Sequence, residues 1–110
     1  MALQRVNPPE LGRPSGFSHA VVGEGVVEQF EQALGNLLTA LRAAGGEPEH
    51  LASLTVYIVD MDDYRTQAAE IGRVWKRLVG RDYPAMAGIG ISRLWDAEAL
   101  VEVQGFAVLP

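Results

Sequence analysis

Two stretches with a single apolar helical stripe alternate with short strand-like segments, and this alternation constrains the fold more than any other feature of the chain. In residues 26–44, Val27, Phe30, Leu34, Leu37, Leu38 and Leu41 recur at the spacing of one helix face. In residues 60–80, Tyr64, Ala68, Ile71, Trp75 and Leu78 do the same. The first helix has Glu28 and Glu31 near its positive end and Arg42 near its negative end. Gly45 and Gly46 close it, Gly80 closes the second, and Asp62 or Asp63 serves as the second helix's cap. Gly35, inside the first helix, is expected to mark close packing on a sheet. Segments 17–25 (FSHAVVGEG), 51–60 (LASLTVYIVD), 81–92 (RDYPAMAGIGIS) and 99–110 (ALVEVQGFAVLP) read as strands. Residues 1–16, with Pro8, Pro9 and Pro14, read as an extended arm.

The order strand, helix, strand, helix, strand, strand predicts an α+β domain spanning 1–110, with both helices on one face of a mixed sheet. Nothing in the chain is left to cover the second face, which is expected to carry Tyr57, Val59, Met86, Leu100 and Phe106. Wet apolar surface costs about 25 cal/mol per Å². The economical cover is further copies of the chain in a closed oligomer. Segment 85–91 sharpens the point: Met86, Gly88 and Gly90 alternate with Ala85, Ala87, Ile89 and Ile91. One side of that strand is bare except for a methionine.

Charge and residue usage exclude several classes. The net charge is −5, which opposes a nucleic-acid surface. The chain has no cysteine, hence no disulfide, thiol nucleophile or thiolate metal site. No apolar run is long enough to span a membrane, and the first residues have no apolar signal core, so the cytoplasm is the expected location. His19 and His50 are the two histidines and neither has a second ligand at metal-binding spacing, so no metal site is expected. The acidic run 60–63 lacks the glycine and distal glutamate of a calcium loop. Glu102 stands out instead. It lies mid-strand between valines on the uncovered face, where a carboxylate needs either a partner or a task.

Five passages, SGFSHAV, ALGNLLTALRAAGG, LASLTVYIVDMDDY, YPAMAGIGISRL and ALVEVQGFAV, occur in the order of the Rid (YjgF) family of reactive-intermediate deaminases, which the chain resembles over nearly its whole length. The resemblance implies a chorismate-mutase-like α+β fold and homotrimers with clefts between neighbouring subunits. It also implies cofactorless hydrolysis of enamines and imines to a keto acid and ammonia. Such chemistry needs a cation to clamp the substrate carboxylate and a carboxylate to position water. In the family an arginine following Pro-Ala supplies the clamp, because a guanidinium grips both carboxylate oxygens. Here that position is Met86. Losing such a contact costs about 2–5 kcal/mol, or roughly 30-fold to several thousand-fold in binding.

Further positions carry over unevenly. Glu102 matches the family's water-positioning glutamate, whereas Gln104 replaces a second acid. Phe17 stands at a common tyrosine and His19 at a common glutamine; Asn36 keeps the helix asparagine. Ala87 and Gly88 replace small polar residues. The chain passes from Gly25 directly into the first helix, where the family has a second strand.

The resulting expectation is an arginine-lacking Rid-like trimer. It binds a small, mostly apolar or uncharged molecule between subunits. Met86, Phe17, Ala87, Gly88 and Trp95 form the walls, Glu102 is the catalytic group, and imine hydrolysis is weak or altered. Trp75 is assigned to the helix core rather than to the cleft. Two alternatives stand beside this one. In the first, the chain is an active 2-imino-acid deaminase whose clamp is Arg93, in the loop after the glycine-rich strand. In the second, it is a non-catalytic binding or scaffold trimer. Ribonuclease activity is also attached to the family, but the acidic charge gives it no physical support.

Overall fold

The computed structural model describes residues 25–110. The arm 1–16, the first strand, Phe17 and His19 lie outside the described residues. The first described helix, α1, runs Val26–Ala43, followed by a 3₁₀ turn at Pro48–His50 and strand β1 at Leu51–Ile58. Helices α2 (Met61–Thr66) and α3 (Ala68–Leu78) come next, then strands β2 (Ala85–Gly90) and β3 (Val101–Ala107).

Helix α1 ends as its sequence dictates. Gly45 takes a φ of 93°, and Gly46 donates its amide to the Leu41 carbonyl at 2.9 Å, the closure that a left-handed residue permits. The second expected helix is divided at Gln67, whose backbone (φ −101°, ψ 20°) departs from helical values. Its cap is Asp60, not Asp62 or Asp63. The Asp60 side chain accepts the Asp63 amide at 3.0 Å, placing Asp62 and Asp63 in the first turn, where they favour the helix dipole. Tyr64, Ile71, Trp75 and Leu78 form the inward stripe, while Ala68 is exposed beside the Gln67 break.

The three strands among the described residues are ordered β2-β1-β3. Strand β2 runs parallel to β1, reached by the α2–α3 crossover, and β3 runs antiparallel to β1. Leu54, Val56 and Ile58 of β1 and Val101 of β3 are buried with Phe30, Leu34 and Leu38 of α1 and Ile71, Val74 and Trp75 of α3. Gly105 of β3 lets α1 approach closely: a Cβ there would meet the Leu37 Cδ1 at 3.2 Å and the Leu51 Cδ2 at 3.3 Å. Arg77 of α3 binds Glu31 of α1 at 2.7 Å and ties the two helices together.

Gly35 departs from its expected role. Among the described residues, a Cβ at Gly35 would meet nothing within 4 Å, so the residue does not serve packing on the described sheet. It lines an open groove of about 530 Å³ with Glu28, Glu31, Asn36 and Thr39 of α1 and Leu78 of α3.

Candidate functional site

The strand register fixes which residues share the face away from the helices. Partners across a ladder point the same way, so three rows cross the sheet. Ser53 lies beside Ala85 and Phe106, Thr55 beside Ala87 and Gln104, and Tyr57 beside Ile89 and Glu102. No described helix covers this face. Phe106 is 64% exposed and Ile89 is 43% exposed, a wet apolar surface of the kind the sequence led one to expect.

Met86 is not on it. The register pairs Met86, Gly88 and Gly90 with Leu54, Val56 and Ile58, which face the helices. Both Met86 and Gly88 therefore belong to the opposite face from Glu102, contrary to the sequence expectation. Packing among the described residues does not demand glycine there, since an added Cβ would meet its neighbours at ordinary contact distance. A Cβ on Gly88 would sit 3.5 Å from the Ile58 Cδ1, and one on Gly90 would sit 3.6 Å from the Met61 methyl. Among the described residues β2 lies at an edge of the sheet, and Met86 is 42% exposed. Ala87 lies on the outer face as a flat spot between Thr55 and the sheet edge.

Glu102 is half-buried and makes no ion pair among the described residues. Beside it, the Tyr57 hydroxyl donates to the Gln104 Oε1 at 3.0 Å. That bond orients the Gln104 amide and leaves its NH₂ end without a hydrogen bond among the described residues. Glu102 and Gln104 are two residues apart on one strand face, about 7 Å. The patch thus offers a carboxylate acceptor, an amide donor and an apolar floor of Ala87 and Ile89. This set can hold a water and accept its proton, which is what hydrolysis of a C=N bond asks of a protein.

The remaining expected residues are dispersed. Trp95 is 83% exposed in the loop between β2 and β3. Arg93, in the same loop, is exposed and has no ion pair among the described residues. This loop leaves β2 and enters β3 at the end of the sheet that carries Ile89 and Glu102. Trp75 is buried as expected; its Nε1 donates to the Asp82 carbonyl at 3.3 Å and its ring stacks on Tyr83 with centroids 5.4 Å apart. His50 accepts the Glu47 amide at Nδ1, 2.8 Å away, and so has a structural task. No group of three or more metal-ligating side chains occurs among the described residues. Burial pushes the phenol of Tyr64 above its ordinary 10.0, but Tyr64 packs edge-on to Phe30 in the core and is remote in role from the patch.

One buried polar residue was not singled out by the sequence. Gln29 of α1 is 2% exposed and binds the loop that enters β3. The available signal was a glutamine on the apolar side of α1, three residues after Val26 and four before Ala33.

Residues 14–109 match the family model described as Endoribonuclease L-PSP. The chain belongs to that family, also called YjgF or Rid. It is 31% identical to the RutC family protein UK114 of Drosophila melanogaster over 80% of this chain and 60% of that one. It is 33% identical to the 2-iminobutanoate/2-iminopropanoate deaminase of Mus musculus, over 83% of this chain and 64% of that one. The chain therefore spans somewhat under two thirds of the length of these Rid relatives. Among solved structures, the Rid family protein YyfB of Yersinia pestis superposes with a TM-score of 0.71 at 31% identity, covering 81% of this chain and 66% of that one. The YjgF gene product of E. coli gives 0.70 at 25% identity, covering 80% and 68%. The α+β architecture with a mixed sheet is thus that of the YjgF proteins.

Proposed function

We propose that the chain is a Rid-family protein that binds a small metabolite in clefts between its own copies, and that hydrolyses enamines or imines weakly or with altered preference. The observation that carries this reading is the position of Glu102. It is a half-buried carboxylate without an ion pair among the described residues, set beside the Tyr57–Gln104 pair on a sheet face no described helix covers. Deaminase names among the relatives supply the reaction class.

In this reading the outer face is covered by neighbouring subunits in a homotrimer. Glu102 accepts a proton from water as the water adds to the C=N carbon. That proton passes to the imine nitrogen to give a carbinolamine; as its C–N bond breaks, the hydroxyl proton passes to the departing nitrogen, and ammonia and a carbonyl compound result. Because Met86 and Glu102 lie on opposite faces of one sheet, a cleft that uses both draws them from different copies of the chain. A methionine in place of a guanidinium favours an uncharged or apolar substituent over a carboxylate.

Ammonia release from 2-aminoacrylate-type imines, compared with that from uncharged imines of similar size, tests the proposal. Slow turnover of the acids and faster turnover or tighter binding of the neutral imines supports it. Family-typical rates on the acids contradict it. A second reading makes Arg93 the clamp, favoured by its exposed position in the loop that leads into the Glu102 strand. Under it, Arg93→Ala abolishes turnover of carboxylated imines; unchanged activity removes Arg93 from consideration.

A further inference from the structure

Among the described residues, the loop from Ile91 to Leu100 is anchored at three places. Ile91 donates its amide to the Ile58 carbonyl at 2.9 Å, and Val59 donates to the Leu100 carbonyl at 3.0 Å. These two bonds tie the ends of the loop to the end of β1. The third anchor comes from a side chain. The Gln29 Nε2 donates to the Glu98 carbonyl at 3.0 Å, and its Oε1 accepts the Leu100 amide at 2.7 Å. The carboxamide brackets Ala99, which is 4% exposed, and so pairs with the chain as one residue of a neighbouring strand would. The turn beneath it is closed by the Ala99 amide on the Asp96 carbonyl at 3.1 Å.

Glu98 is followed within four residues by Glu102, and Trp95 precedes it by three. We infer that Gln29 is a positioning residue: by holding Glu98 and Leu100, it sets the placement of Trp95 and the entry of the Glu102 strand relative to α1. The inference deepens the proposed function, since it rests on Trp95 and Glu102 belonging to one ligand site; the clamp itself stands on the hydrogen bonds alone. A carboxamide is required by chemistry. A leucine makes neither bond. An ionised glutamate accepts from Leu100 but cannot donate to Glu98, whereas a protonated glutamate does both.

The test uses the whole chain with Gln29→Leu and Gln29→Glu. Amide hydrogen exchange is followed at residues 96–100, and Trp95 accessibility is read by iodide quenching of fluorescence, with Trp75 as the buried internal reference. In Gln29→Leu, exchange at Leu100 and Ala99 is expected to rise at least about ten-fold more than at Leu54 and Val56, with a matching change in Trp95 quenching. In Gln29→Glu the same defects are expected near neutral pH and to diminish toward pH 5. Wild type is measured at each pH, so that titration of Asp96 and Glu98 in the loop is subtracted. Unaltered loop exchange and quenching in both variants overturns the inference. So does a loss of protection as large in β1 as in the loop, which makes Gln29 a general stability residue. Neither readout involves turnover, so the clamp is tested even if the chain hydrolyses no imine.

Discussion

Replacing Phe106 with alanine separates cover by other subunits from ordinary surface exposure. Phe106 is 64% exposed and lies in the outer row with Ser53 and Ala85, so it contributes little to packing within one chain. A phenylalanine buries about 150–250 Å² when fully enclosed, which leaves roughly 100–160 Å² of this side chain for a partner to cover. At about 25 cal/mol per Å² that area is worth approximately 2–4 kcal/mol at each seam. Each 1.4 kcal/mol is tenfold, so Phe106→Ala should weaken association at each seam by roughly 30- to 700-fold. Sedimentation velocity over a dilution series, from tens of micromolar to tens of nanomolar, reads this shift directly. Circular dichroism of the dissociated species should remain that of a folded α+β chain. The reasoning is refuted if wild type and variant dissociate at the same concentration, or if Phe106→Ala unfolds without first dissociating.

Other perturbations test the remaining links. Gly105→Val forces a branched side chain against Leu37, Leu51 and Leu54 and should cost about 1–3 kcal/mol in chemical denaturation; a neutral result would mean that α1 is not held as closely as it stands. Glu102→Gln should abolish whatever imine hydrolysis the wild type shows while leaving its melting temperature within a few degrees; retained turnover removes Glu102 as the catalytic group. Met86→Arg should raise turnover of carboxylated imines at least about ten-fold by supplying the missing fork, and no gain would argue that Met86 does not reach the ligand. Tyr64 gives a pH test. Its folded pKa is raised by burial, so the folded state holds the proton more tightly than the unfolded one; stability is therefore undiminished below about pH 10 and falls as pH rises above it. Tyr64→Phe should lessen that alkaline loss, and an unchanged slope would refute the assignment.

The first helix and the described strands were legible because their periodicities are clear and Gly45 and Gly46 mark the helix end, whereas the break at Gln67 that divides the second expected helix was not. What else escaped was whatever depends on register. Alternation alone separates Met86 and Gly88 from Ala85 and Ala87, but not which set meets the helices; that is decided by the pairing of Leu54 with Met86. A row of glycines looks like an empty surface in sequence, yet here Gly88 and Gly90 lie on the helix side beside Ile58 and Met61, where a Cβ would still fit at ordinary contact distance. Gly35 misled in the opposite direction, since a glycine in a helix reads the same whether it abuts a sheet or open space. Glu102 stood out in its own strand because a carboxylate between two valines is anomalous wherever the register falls, and the register places it on the outer face across from Tyr57. Gln29 was not, because its partners Glu98 and Leu100 are about 70 residues away along the chain and are backbone groups, which carry no residue signature.

The central claim is that the outer sheet face, with Glu102 upon it, is roofed by copies of the same chain. Native mass spectrometry of the wild-type chain at micromolar concentration measures this directly. The account predicts a closed species of three times the 11.9 kDa subunit mass. A folded single subunit at that concentration would contradict it.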